Sequence, residues 1–71
     1  MPIANIQILK GRTKAERQLL IAMVTDAIVS SLGVKTPSVR VVLTEIDPEN
    51  WGVGGVPKSA RRPNETTPSG S

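Results

Sequence analysis

The sequence predicts an α+β fold, a β-α-β subunit with a parallel strand pair, one crossover helix and a short C-terminal hairpin. Two apolar segments typical of strands flank one long segment with helical periodicity, and a glycine-rich segment follows the second strand. The chain has only 71 residues and no cysteine for a disulfide. A chain this short hides only about 60% of the surface that its unfolded form exposes, so we expect it to assemble into an oligomer.

The first predicted strand covers residues 3–9. Its side chains alternate between two faces, one with Ala4, Ile6 and Ile8 and the other with Ile3, Asn5, Gln7 and Leu9. This two-residue period is typical of a sheet that is covered more heavily on one side. The segment Lys10-Gly11-Arg12 then interrupts the apolar pattern and ends the strand.

The predicted helix covers residues 14–32. Thr13 and Glu16 have the S/T-x-x-E spacing of a capping box, in which each side chain accepts a hydrogen bond from the other residue's backbone N–H. Gly33 stands where a left-handed residue would end the helix. Apolar residues recur at steps of three and four and predict one side that packs on the sheet: Leu20, Met23, Val24, Ala27, Ile28 and Leu32.

The second predicted strand covers residues 39–46 and is rich in β-branched side chains. A strand, a helix and a second strand imply a parallel pair with the helix across one face of the sheet. The other, partly apolar face would be bare, which again predicts contact with another subunit. The turn residues 47–50 and the glycine-rich residues 52–55 predict a short hairpin.

Composition predicts one domain, residues 2–62, followed by a disordered tail, residues 63–71, that is rich in Pro, Ser and Thr. The net charge is +3, but Lys58, Arg61, Arg62 and Glu65 contribute +2 of it, and Trp51 is the only aromatic residue. We therefore expect no nucleic-acid partner. The sequence has no apolar segment long enough to span a membrane and no leader pattern. It also has no histidine and no Cys/His cluster. We expect no membrane partner, no cofactor and no metal, and a cytoplasmic location.

Pro2 follows the initiator methionine, which is usually removed when the next residue is small. Removal of Met1 would give Pro2 a free secondary amine mounted directly on the backbone. Such an amine is titratable, whereas a proline inside a chain has no basic nitrogen. A free α-amino group titrates near about 8, so a nearby cation and an apolar wall would be needed to lower its pKa toward neutrality. Pro2 is therefore a candidate general base.

Four segments carry a family resemblance. They are Pro-Ile-Ala-x-Ile-x-Ile-Leu-x-Gly-Arg from Pro2 to Arg12, Ser-Val-Arg-Val from Ser38 to Val41, Thr44-Glu45, and Gly-x-Gly-Gly from Gly52 to Gly55. The chain resembles the 4-oxalocrotonate tautomerases, which belong to a superfamily with an N-terminal catalytic proline. The resemblance implies β-α-β subunits that assemble as a homo-oligomer, usually a hexamer built as a trimer of dimers.

The resemblance also implies a reaction and its catalytic residues. The family proline is a base and acid that moves a proton from a dienol hydroxyl to a distant carbon, as in 2-hydroxymuconate to 2-oxo-3-hexenedioate, and Pro2 matches it. Arg12 and Arg40 match two arginines that bind a small anionic substrate, the second one contributed by a neighbouring subunit. A guanidinium suits this task because it binds a carboxylate through two parallel hydrogen bonds. Trp51 would form an apolar wall, and Leu9 and Ser38 match positions near the substrate.

Two alternatives stay open at this point. A protonated proline could act as an acid while water attacks, which would give a hydratase or dehalogenase of an unsaturated acid. A non-enzymatic binding protein could instead use its basic tail to contact an acidic partner. Trp51 stands where the family usually has phenylalanine, so the choice of substrate stays open as well.

Overall fold

A computed structural model describes residues 1–60 of the chain. The predicted domain boundary at residue 62 and the predicted tail at residues 63–71 lie outside these residues. Within the described part, no helix is both long and apolar enough to cross a membrane.

The central element is a parallel pair of seven-residue strands, β1 (Ile3–Leu9) and β2 (Arg40–Ile46). Ile3 pairs with Arg40 at one end and Leu9 with Ile46 at the other. The predicted parallel pair is confirmed. β2 begins one residue later than predicted, because residues 36–38 form a 3-10 turn and the Val39 N–H donates to the Thr36 carbonyl at 3.1 Å.

The helix α1 (Lys14–Leu32) has the predicted bounds and the predicted caps. The Thr13 hydroxyl accepts a hydrogen bond from the Glu16 N–H at 3.1 Å, and the Glu16 carboxylate accepts one from the Thr13 N–H at 2.9 Å. At the other end, Gly33 has φ of 67° and its N–H donates to the Val29 carbonyl at 2.9 Å. Only a residue that tolerates the left-handed region can end the helix in this way.

The helix covers one face of the strand pair and leaves the other bare. Side chains on the covered face are half-buried: Ala4, Ile6, Ile8, Val41 and Leu43. On the bare face, Ile3 is 60% exposed and Val42 is 47% exposed. No side chain among the described residues is fully buried, so folding of one subunit removes only part of its apolar surface from water.

The predicted apolar side of the helix is only partly correct. Leu20, Val24 and Ile28 are half-buried against the sheet, but Ala27 is exposed. Met23 and Leu32 are 61% and 63% exposed. Neighbouring strands lie about 5 Å apart, so a two-stranded sheet covers only the nearest side of a helix. The remaining apolar side chains are left at the surface of the subunit.

The C-terminal hairpin is confirmed. A 3-10 turn at residues 48–50 leads to β3 (Gly52–Val53), which pairs antiparallel with β4 (Val56–Pro57). Gly54 and Gly55 both have positive φ, 60° and 84°, which is the geometry of a tight hairpin turn. The Lys58 N–H donates to the Trp51 carbonyl at 2.9 Å and closes the base of the hairpin.

Candidate active site

Pro2 and Arg40 lie side by side where the two parallel strands begin. The Arg40 N–H donates to the Pro2 carbonyl at 2.9 Å, which fixes the two backbones relative to each other. The Arg40 guanidinium donates through Nη1 to the carbonyls of Pro37 and Val39, at 2.7 and 3.4 Å. Pro2 is half-buried, whereas Met1 before it is 80% exposed. The backbones of Pro2 and Arg40 are therefore adjacent at this end of the sheet, while the Arg40 guanidinium is bound to the turn before β2.

Ser38 lies at the same end, in the 3-10 turn before β2. Its hydroxyl donates to the Lys35 carbonyl at 2.7 Å, and its N–H donates to the same oxygen at 3.0 Å. These bonds hold the turn from which Arg40 emerges. The binding role that the resemblance implies for Ser38 stays a prediction.

Leu9 and Arg12 lie at the other end of β1, around an open cavity of about 710 Å³ between the strand and the start of the helix. Its apolar lining consists of Ile8, Leu9, Leu19, Leu20 and Met23, while Lys10, Arg12, Glu16 and Arg17 supply its charged groups. An apolar surface with a few placed cations is suited to a small organic anion.

Arg12 is held at two points. Its guanidinium Nη1 lies 3.5 Å from Oε2 of Glu16, and its carbonyl accepts a hydrogen bond of 2.6 Å from Nη1 of Arg17. Nη1 of Arg17 also lies 3.5 Å from Oε2 of Glu45 on β2. Gly11, with φ of 127°, provides the backbone reversal that brings Arg12 back toward the helix. The loop before the helix is thus tied to the sheet.

Two pKa shifts accompany these contacts. The backbone hydrogen bond from Thr13 is the main reason that the pKa of Glu16 lies below its ordinary value, and Arg12 adds to the effect. Nζ of Lys10 lies 3.1 Å from Oδ1 of Asp47, and the hydrogen bond between these side chains raises the pKa of Lys10. Glu16 and Lys10 are therefore both charged at neutral pH.

Trp51 lies beyond the C-terminal end of β2, after the 3-10 turn of residues 48–50. It is half-buried, and its backbone N–H donates to the Pro48 carbonyl at 3.2 Å. Because the two strands are parallel, β2 ends at the same edge of the sheet as β1, where Leu9 and Arg12 lie. Trp51 thus leaves the sheet at the end opposite Pro2.

The six predicted site residues therefore form two groups at opposite ends of one subunit. Pro2, Ser38 and Arg40 are at the end where the strands begin, and Leu9, Arg12 and Trp51 are at the end where they finish. Seven strand residues span about 23 Å, which is more than an arginine side chain can bridge. A single chain does not bring Pro2 and Arg12 together.

Sequence reasoning missed three charged residues at the second end: Lys10, Glu16 and Arg17. Glu16 was interpreted only as a capping residue, although its four-residue spacing from Arg12 is that of a helical ion pair. Among residues 1–60 there is no cluster of three or more His, Cys, Asp or Glu side chains that could hold a metal ion.

Comparison with known proteins assigns this arrangement to a family. The family described as Tautomerase enzyme matches residues 2–61. A 2-hydroxymuconate tautomerase of Pseudomonas putida is 41% identical over 56 residues, which are 79% of this chain and 89% of the relative.

Two solved structures have the same fold. A 4-oxalocrotonate tautomerase isozyme from Methylibium petroleiphilum has a TM-score of 0.81 and 37% identity, and the match covers 83% of this chain and 95% of that one. A heterohexamer 4-oxalocrotonate tautomerase from Chloroflexus aurantiacus has a TM-score of 0.83 and 27% identity, covering 87% and 100% of the two chains. The chain belongs to the tautomerase family and is an isomerase of the 4-oxalocrotonate tautomerase type.

Proposed function

We propose that this isomerase catalyses the keto-enol tautomerisation of a small unsaturated 2-hydroxy or 2-oxo dicarboxylate, such as 2-hydroxymuconate to 2-oxo-3-hexenedioate. The observation that carries the proposal is the family match over residues 2–61, which begins at Pro2 and includes Arg12 and Arg40. The 41% identity to a 2-hydroxymuconate tautomerase supports the choice of substrate class.

Pro2 acts as the base only when Met1 has been removed, because the nitrogen of a peptide bond cannot accept the proton. The freed amine takes the proton of the 2-hydroxyl group and returns it to a distant carbon of the conjugated system, so one group serves as base and then as acid. An arginine cation held close to the amine, Arg12 or Arg40 of a neighbouring subunit, favours the neutral amine that this first step needs.

Arg12 and Arg40 bind the two anionic ends of the substrate. Each guanidinium can donate two parallel hydrogen bonds to a carboxylate and stays charged throughout the accessible pH range. Electron density drawn toward one carboxylate stabilises the dienolate that forms when the hydroxyl loses its proton. Trp51 and Leu9 exclude water from one side of the substrate, which strengthens these electrostatic interactions.

The complete site forms between subunits of a homo-oligomer, which we propose to be a hexamer built as a trimer of dimers. Pro2 and Arg12 lie too far apart in one chain to act on one small molecule, so one end of a subunit must meet the opposite end of another. The bare sheet face around Ile3 and Val42 and the exposed Met23 supply apolar area for such contacts. The solved relative from Chloroflexus aurantiacus is a heterohexamer, which supports the same number of subunits here.

The test combines intact mass with a spectroscopic assay of 2-hydroxymuconate ketonisation. We expect the purified protein to lack Met1 and to ketonise the dienol, and Pro2→Ala to lose most of this activity. Pro48→Ala, at an exposed proline in the turn after β2, is the matched control and should keep full activity. A processed wild-type protein that leaves the dienol unchanged, or a Pro2→Ala variant at the wild-type rate, would refute the proposal. A product that is heavier by one water would indicate hydration instead.

A further inference from the structure

The Glu16 carboxylate has two partners and uses a different oxygen for each. Oε1 accepts a hydrogen bond from the Thr13 N–H at 2.9 Å and lies 3.3 Å from the Thr13 hydroxyl. Oε2 lies 3.5 Å from Nη1 of Arg12. Because Oε1 accepts a hydrogen bond from the backbone at the start of the helix, Oε2 is held at a defined position beside the guanidinium of Arg12.

Two features of Arg12 favour movement of its side chain when Glu16 is absent. It lies immediately before the helix cap Thr13, at the positive end of the helix dipole, where a cation is unfavourable. Its side chain is 58% exposed, and a free arginine side chain has many rotamers. Its carbonyl is already held by Arg17 at 2.6 Å, so the guanidinium is the part that still needs an anchor.

The contact with Glu16 leaves much of the guanidinium free for a ligand. It involves Nη1, while Nε and Nη2 remain to donate two parallel hydrogen bonds to another carboxylate. Arg12 and Glu16 both line the 710 Å³ cavity, so the free donors are beside the space that a substrate would enter. We propose that Glu16 is a positioning residue, which holds Arg12 in the orientation that receives one carboxylate of the substrate. This inference rests on the function proposed above for the same site.

The experiment separates positioning from capping with two variants. In Glu16→Gln the amide oxygen still accepts the Thr13 N–H, because glutamine serves in a capping box, but the anchor for Arg12 is lost. Thr13→Ala removes the hydroxyl that accepts from the Glu16 N–H and leaves the carboxylate beside Arg12. We expect Glu16→Gln to raise KM for a dicarboxylate about two- to fivefold, the range of an exposed ion pair, with kcat and Tm close to wild type. Thr13→Ala should lower Tm and leave KM unchanged.

A second measurement does not depend on turnover. ¹⁵N relaxation of the Arg12 Nε–H group should show a restricted side chain in the wild type and in Thr13→Ala, and a mobile one in Glu16→Gln. An unchanged or lower KM in Glu16→Gln, or an Arg12 side chain that is equally mobile in all three proteins, would overturn the inference. If the wild type does not ketonise the dienol, the proposed function fails by itself, and the relaxation of Arg12 still decides whether Glu16 positions it.

Discussion

Arg12 and Arg40 carry the same charge but are held by different partners. Arg12 is paired with a carboxylate, Glu16, at 3.5 Å, whereas Arg40 donates to the carbonyls of Pro37 and Val39. Loss of the Arg12 side chain leaves Glu16 bound to the helix start through Thr13. Loss of the Arg40 side chain leaves two carbonyls of the turn before β2 without this donor. The two arginines should therefore differ in what they contribute to stability.

We expect Arg12→Ala and Arg40→Ala each to lower kcat/KM about ten- to a hundredfold, since a hydrogen bond to a charged group is worth about 1.5–3 kcal/mol. Arg40→Ala should also lower Tm, whereas Arg12→Ala should leave Tm near the wild-type value. Steady-state kinetics and thermal unfolding measure both effects.

Lys35→Ala is the matched control for the two arginine variants, because Lys35 is an exposed cation in the loop between α1 and β2. It should leave kcat/KM unchanged. An equal loss in all three variants would show that net positive charge, rather than a placed guanidinium, attracts the substrate. Wild-type kcat/KM in either arginine variant would remove that arginine from the proposed site.

The helix was the easiest element to predict, because its two ends carry local chemistry. The capping box of Thr13 and Glu16 and the left-handed Gly33 depend on neighbouring backbone groups alone, so both bounds could be predicted. The face of the helix was harder. Apolar spacing cannot distinguish a side chain that packs on its own sheet from one that is left for another subunit, and Met23 and Leu32 were assigned to the wrong environment.

Gly33→Ala tests the end of the helix. An added Cβ at Gly33 would meet no atom within 4 Å, so the substitution introduces backbone strain at φ of 67° without a steric clash. We expect a loss of about 1 kcal/mol in the free energy of unfolding, the usual penalty for a residue with a Cβ in the left-handed region. Chemical denaturation at fixed protein concentration measures it.

Gly33→Asn is the control for this strain. Asparagine tolerates the left-handed conformation better than alanine, so it should recover part of the lost stability. If Gly33→Asn is no more stable than Gly33→Ala, conformational strain at this position is not the cause of the loss.

At the scale of the whole subunit, the resemblance gave the site residues and a neighbouring subunit as the source of Arg40, but not the separation of Pro2 from Arg12 within one chain. Six residues that the family places in one site lie at two ends of a strand pair. This separation follows from the length of β1, because its seven extended residues lie between Pro2 and Arg12 and span about 23 Å. In the proposed site the two ends meet through contacts between chains, and no pattern within one chain assigns its exposed apolar residues to a partner.

A complementation experiment tests whether the site is shared between chains. Pro2→Ala keeps an intact Arg12, and Arg12→Ala keeps an intact Pro2. If each site takes Pro2 from one chain and Arg12 from another, refolding an equal mixture of the two variants should restore up to about a quarter of the sites, by random assembly of a closed oligomer. If both residues came from the same chain, no mixed assembly could contain an intact site. We therefore expect ketonisation in the co-refolded mixture to exceed the sum of the two variants refolded separately, and activity equal to that sum would contradict a site built between subunits.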